Sequence, residues 1–345
     1  MKQTRSFDKN KCLLYRDNMQ GIIDRKLIAP VEVNIDPINS CTLKCQWCNA
    51  KRVLDGKKIS KDVMIKLLDD LANWGTLGIC FAGGGEPSLH PEIDLFVKHC
   101  TKLGLESAMI TNGYSWTTKL VETIADHMRW VGISVDASTR GTFLKLKKVD
   151  GFTKTLKNIY NLVYYKEMDK KNCKVGITFK FLIHPENQHE IYDACKIAKD
   201  LRCDSFHLRP VDFLAYKNEE EKLDLKLINE QIKKCHELSD DNFEFIPFFA
   251  CFDNNLVSLK FDKCELAPLL GICLPSGWWL CIDRKGQKGL RLCGIDEIRE
   301  FWGSEKHFEI MDSINPKRDC GKCTLSKYYE NFISYKNDDW YWKFV

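Results

Sequence analysis

Asn39-Ser40-Cys41-Thr42-Leu43-Lys44-Cys45-Gln46-Trp47-Cys48 places three cysteines within eight residues, spaced C-x3-C-x2-C. One short loop with three thiolates can wrap three corners of a cubic [4Fe–4S] cluster. Such clusters ordinarily take four cysteines. Three leave one iron with an open position, and an open position on a redox metal is where chemistry happens. The opposing reading is a zinc site or three packed cysteines. Zinc needs a fourth ligand, for which His90 or His99 is the best offer.

Outward from this loop, strand and helix patterns alternate. Val31-Glu32-Val33-Asn34-Ile35 has period two and predicts a strand just before the cysteines. Lys61 to Trp74 has helical spacing after Ser60, a natural N-cap. Further strands are expected at 77–81, 107–110, 130–135, 175–183 and 205–208. Helices are expected at 91–103, 117–128, 151–168 and 188–201. Six β units with helical crossovers demand a parallel sheet. Six are fewer than the eight of a closed barrel. The expected fold class is therefore α/β, a partial, open (β/α)6 TIM-like barrel with its sites at the carboxyl ends of the strands.

The expected organisation is a helical extension over 1–30 capping the barrel and the barrel over 31–212. A linking helix follows over 213–242, then a small cysteine-bearing domain over 243–330 and an aromatic tail over 331–345. The 345 residues are 44% hydrophobic and carry a net charge of +4 from 52 basic and 48 acidic side chains. That balance weighs against a nucleic-acid partner. The run Lys145-Leu146-Lys147-Lys148 reads as solvated helix surface. No apolar run is long enough for a membrane helix, and residues 1–8 lack a signal-peptide core. A cytoplasmic location, with no membrane partner, is expected. The 17 cysteines then point to metal binding rather than disulfides, because cytosol keeps thiols reduced.

Cys41-x3-Cys45-x-Trp47-Cys48, with an aromatic residue just before the third cysteine, resembles the motif of the radical S-adenosylmethionine (SAM) superfamily. Gly83-Gly84-Gly85-Glu86-Pro87, after the second strand, resembles that family's glycine-rich motif. The resemblance covers residues 31–212. It implies that SAM chelates the open iron and that an electron from the cluster splits it, giving a 5′-deoxyadenosyl radical. It also implies SAM contacts from Trp47, Gly83, Gly84, Gly85 and Glu86. At later strand ends, Asn112, Ser134, Asp136 and Asn187 are candidates for the same ligand, with turns and helix caps as the equal alternative. His207, Arg209 and Asp212, near the end of the sixth strand, are candidate catalytic residues, each with a structural alternative.

A second set, Cys264, Cys281, Cys320 and Cys323, resembles the twitch domain, a single-cluster relative of the SPASM domain. There four cysteines fully ligate an auxiliary [4Fe–4S] cluster. A zinc knuckle is the alternative, since tetrahedral S4 suits zinc as well. Cys273 or Cys293 could replace a member of the set.

These resemblances imply a radical SAM oxidoreductase acting on a small polar substrate such as a sugar, aminocyclitol or nucleotide sugar. Alcohol dehydrogenation with the auxiliary cluster as electron acceptor is the leading expectation. A reducing partner such as flavodoxin or ferredoxin is implied. The alternatives are an epimerase using a thiol such as Cys203, Cys235, Cys251 or Cys273, a peptide-maturing enzyme, and a non-catalytic Fe–S or zinc module.

Overall fold

A computed structural model describes residues 9–168, 173–211, 223–247, 259, 261–320 and 323–337. Its strands are β1 (Glu32–Ile35), β2 (Gly78–Phe81), β3 (Glu106–Thr111), β4 (Trp130–Ser134), β5 (Gly176–Ile183), β6 (Ser205–Pro210), β7 (Glu244–Pro247), β8 (Leu270–Leu274) and β9 (Gly277–Trp279). The helices are α1 (Arg16–Ile23), α2 (Lys61–Trp74), α3 (Ile93–Leu103), α4 (Thr118–His127), α5 (Arg140–Lys147), α6 (Phe152–Met168), α7 (Ile191–Asp200) and α8 (Leu225–Glu237). The C-terminal part adds α9 (Ile298–Phe301), α10 (Glu305–Asp312), α11 (Pro316–Asp319) and α12 (Tyr329–Lys336). No described helix is long and apolar enough to cross a membrane.

One sheet runs in the order β7-β6-β5-β4-β3-β2-β1-β8-β9. All neighbours are parallel except the β8–β9 hairpin. The architecture is the expected parallel, open α/β barrel, with the cysteine loop leaving the carboxyl end of β1. Alternate strand residues face opposite ways. Ile79, Phe81, Val131, Ile133, Phe179 and Phe206 are fully buried within the main apolar core. Asn34, Cys80, Lys180 and His207 occupy the alternate positions. Helix ends follow simple capping chemistry. Ser60 accepts a bond from Val63 N at the start of α2, and Gly75, at φ +106°, closes it in the left-handed conformation open to glycine.

Three features depart from the expectation. β7 follows α8 and extends the sheet beyond β6, so sheet continuity crosses the boundary placed at 242–243. β8 pairs with β1, Asn34 opposite Ile272, so the cysteine-bearing region is built onto the first strand. Helix α1 packs Met19 and Ile22 against Leu266, Leu269, Tyr329 and Phe332 of the C-terminal part. The tail over 338–345 lies outside the described residues.

Candidate functional site

The cysteine loop is held from two sides. The return segment bonds it through Asn39 N to Lys57 O (2.7 Å) and Asn39 Nδ2 to Asp55 Oδ1 (3.0 Å). The other support is the end of α5. Lys44 N donates to Lys147 O (3.0 Å), Gln46 N to Leu146 O (3.1 Å) and Gln46 Nε2 to Lys145 O (3.1 Å). The last carbonyls of a helix have no partner within it, and here the cysteine loop supplies three. Within the loop, Leu43 N donates to Cys41 Sγ (3.4 Å). Burial pushes the Cys41 thiol up to about 11 and raises Cys45, so ligand formation there must displace protons.

The Gly83–Glu86 segment lies directly beneath. Glu86 N donates to Ser40 O (2.7 Å). A Cβ on Gly85 would lie 2.3 Å from Ser40 O and 2.5 Å from Ile38 O. One on Gly84 would meet Val53 and the Asn39 amide at 2.7 and 2.8 Å. The glycines are therefore required by the close approach of two backbones. Gly85→Ala is expected to cost about 1–3 kcal/mol, as overpacking does, and to loosen the cysteine loop. Thermal unfolding with iron retention after desalting checks this.

Cys41, Cys45, Cys48, Trp47, Gly83, Gly85, Glu86, Asn112, Ser134 and Asp136 line one cavity of about 210 Å³, together with Lys147 and Val211. Several of these polar groups are already committed. The buried Glu86 carboxylate accepts from Thr111 Oγ1 (2.6 Å), Asn112 N (2.7 Å) and Ser88 N (3.1 Å). It fixes the ends of β2 and β3 relative to each other. Burial raises its pKa, and these bonds oppose the rise. Asn112 Nδ2 points back to Thr42 Oγ1 at 3.4 Å and Cys41 Sγ at 3.8 Å.

Asp136 sits at φ +61° and is fully buried. One carboxylate oxygen accepts from Leu182 N (2.7 Å) and the other is ion-paired with Lys147. Lys147 is only 2% exposed and lies over the Trp47 ring, 5.4 Å from its centre. Lys145 and Lys148 are exposed as expected, but Lys147 departs from the reading of 145–148 as solvated surface. The helix end is turned inward because Asp136 gives the ammonium a buried partner. Burial alone would lower the lysine, but Asp136 and the nearby thiols carry it up to about 12. No local pattern distinguishes Lys147 from its solvated neighbours.

Other expected residues fall elsewhere. Asn187 does not line the cavity. Its amide donates to Asp136 O (2.8 Å) and Leu182 O (2.9 Å) and accepts from His184 N (2.7 Å), which leaves it a brace for the Asp136 turn. His207 is buried at the Trp130 ring, opposite Lys180 on β5, and burial holds its pKa well below the usual value. Neither it nor Arg209 is on the cavity wall. Asp212 and Cys251 lie outside the described residues.

The second cysteine set converges. Cys264, Cys281, Cys320 and Cys323 line one largely apolar cavity of about 40 Å³, with Leu266, Ile272, Leu280 and Tyr329 among its walls. Burial pushes Cys264 and Cys323 up to about 12. Cys273 and Cys293 are buried outside that lining. Lys285, four residues after Cys281, donates from its buried ammonium to both oxygens of Asp36 (2.9 and 2.6 Å), just after β1.

Residues 35–198 match the radical SAM superfamily model. The chain carries a radical SAM domain. The PqqA peptide cyclase of Bradyrhizobium diazoefficiens is 26% identical over 191 residues, 54% of this chain and 48% of the cyclase. The S-adenosylmethionine-dependent nucleotide dehydratase of Flammeovirga pacifica is 25% identical, over 56% of this chain and 67% of the dehydratase. The chain thus spans about half the cyclase it matches. In fold it is similar to Streptococcus suis SuiB bound to precursor peptide SuiA. The TM-score there is 0.69 at 17% identity, covering 94% of this chain and 76% of SuiB.

A radical SAM domain uses a [4Fe–4S] cluster and SAM, and the observed donor set fits both. Three thiols of one loop share a cavity wall, which suits an iron cube with one open corner. The glycine backbone, free of side chains, and the buried Lys147 ammonium suit an amino acid's polar end.

Proposed function

We propose that this radical SAM enzyme is an oxidoreductase with two [4Fe–4S] clusters. The first is held by Cys41, Cys45 and Cys48, the second by Cys264, Cys281, Cys320 and Cys323. The observation that carries the reading is the convergence of these four widely spaced cysteines on one apolar cavity, with Cys273 and Cys293 left outside. Sulfurs around a volume suit a cube better than a zinc ion, which draws its ligands to about 2.3 Å.

When bound, the first cluster with SAM supplies a hydrogen-abstracting radical, and the second supplies a one-electron acceptor. The protein's own part is positioning. Gly83 and Gly85 let backbone polar groups approach SAM, Gly84 lets the segment pack on Val53 and Asn39 away from the cavity wall, and Glu86 holds the segment against β3. Lys147, anchored by Asp136, faces a carboxylate. Trp47, Leu43 and Val211 give the cavity an apolar wall that keeps water from the reacting carbon.

The substrate proposed is a small polar molecule whose alcohol is oxidised to a ketone. A second reading, a peptide substrate, is favoured by the likeness to a peptide cyclase and to a peptide-bound SuiB. Turnover in D2O tests the reaction class. Oxidation yields a product lighter by two hydrogens with no solvent deuterium at carbon. An unchanged skeleton carrying one deuteron means epimerisation and contradicts the proposal.

A reducing partner is also proposed. Residues 41–60 carry five exposed cations, Lys44, Lys51, Arg52, Lys57 and Lys58, against Asp55 alone. That surplus equals the net charge of the whole chain, +4. It lies on the segment that follows the exposed Cys41 and suits an acidic electron carrier such as flavodoxin or ferredoxin. Cluster reduction by such a carrier should slow about tenfold between 10 and 300 mM salt, roughly the fall expected as the Debye length shrinks. Stopped-flow absorbance checks this, with a small neutral reductant as the salt-insensitive control.

A further inference from the structure

Three consecutive residues, Asp283-Arg284-Lys285, each make a different contact. Asp283 accepts from Thr324 N (2.7 Å) and Thr324 Oγ1 (2.9 Å), which fastens the segment just after Cys323. Lys285 reaches Asp36 beside the catalytic loop. Arg284, between them, donates from Nη1 to Cys320 Sγ at 3.3 Å. Its Nε donates to Gln287 Oε1 at 2.8 Å, so the guanidinium is held in plane before it meets the sulfur. Gly286, at φ +77°, closes the turn against Val53 and Arg52, where a Cβ would lie 2.5 Å from the Val53 side chain. The loop is thus fixed at both ends and cannot swing Arg284 away cheaply.

The charges around the four sulfurs are unequal. Asp283 acts on Cys281 and Cys323, and Glu265 on Cys264. Arg284 acts on Cys320 and Cys264, while Asp319, ion-paired with Arg318, and Asp283 also act on Cys320. Reducing a thiolate-ligated cluster adds one negative charge and no proton. A cation bonded to one ligand sulfur favours that added electron, and acids near the sulfurs disfavour it. Hydrogen bonds to the sulfurs and local charge are among the determinants of cluster potential.

We propose that Arg284 raises the reduction potential of the second cluster through its bond to the Cys320 sulfur. The proposal rests on the two-cluster reading above. Arg284 is a positioning residue in this role, because it acts through a ligand and not on substrate.

The test uses the full chain with Cys41, Cys45 and Cys48 replaced by alanine, reconstituted anaerobically so that only the second cluster remains. Its midpoint potential is measured by an EPR-monitored titration, with and without Arg284→Leu. The leucine variant should lower the reduced-to-oxidised ratio at a fixed potential about tenfold, which is 59 mV for a one-electron couple. Arg284→Lys, which keeps the charge without the fork, should recover part of the shift. Gln287→Leu, which frees the guanidinium without touching Cys320, should give a smaller shift of the same sign. These two variants decide the question if Arg284→Leu fails to hold iron. Iron present with potentials unmoved in every variant overturns the role of Arg284 alone. No iron in the triple-alanine chain overturns the second cluster, and this proposal with it.

Discussion

Alanine at Cys45 is expected to abolish reductive cleavage of SAM while leaving about four irons on each chain. Cys45 is half-buried and shares the cavity wall with Cys41, Cys48 and Lys147. Removing one of three thiolates leaves a cube with two protein ligands, too few to hold it against solvent and chelators. The loop's scaffold does not depend on the thiol. It hangs from backbone bonds to α5 and to the 55–59 return, so the fold should survive. The second cavity shares no lining residue with the first and retains its four cysteines. Iron analysis and 5′-deoxyadenosine release give the two readouts. Loss of all iron would mean that the two sites are not independent. SAM cleavage persisting above about 1% of the native rate, some 2.7 kcal/mol of barrier, would remove Cys45 from the catalytic set.

The second large effect is expected at Lys147. Lys147→Met leaves the Asp136 carboxylate buried with no counter-charge, a change that typically costs about 3–5 kcal/mol. Urea unfolding should show that loss. The double variant Lys147→Met with Asp136→Asn removes both charges and should recover most of the stability. SAM affinity separates the structural role from the binding role. If Lys147 faces SAM's carboxylate, the double variant stays about thirtyfold weaker, near 2 kcal/mol for a hydrogen bond to a charged group. Equilibrium dialysis on the iron-loaded protein measures this. Full recovery of both properties would make Lys147 a structural strut only.

How far the sequence could be read differs from one part of the molecule to another, for physical reasons. β1 to β6 were legible because each carries a short apolar run flanked by capping residues, such as Ser60 and Gly104. The cysteine loop and Gly83–Glu86 were legible because close packing around a cluster leaves few residue choices. α5 was not, since Arg140 to Lys147 is polar along most of its length and its buried face is set by Asp136 and Trp47, distant in sequence. β7 and β8 were hidden for another reason. Glu244–Pro247 is short and ends in proline, and the pairing of β8 with β1 spans more than 230 residues. For His207 and Asn187 the sequence left a chemical and a structural role open; the fold places one as a buried ring beside Trp130 and the other as a brace for the Asp136 turn. Arg284 could not have been found without the fold, because only the fold brings it to Cys320.

The central claim is that one chain holds two clusters of different kinds, one open at a corner and one closed. Anaerobic reconstitution of the native chain, followed by iron and sulfide analysis and low-temperature EPR of the reduced protein, tests it most directly. Eight irons per chain are predicted, with two reduced signals of which only one changes when SAM is added. About four irons per chain, with zinc in the second site or a single signal that SAM shifts completely, would contradict the account.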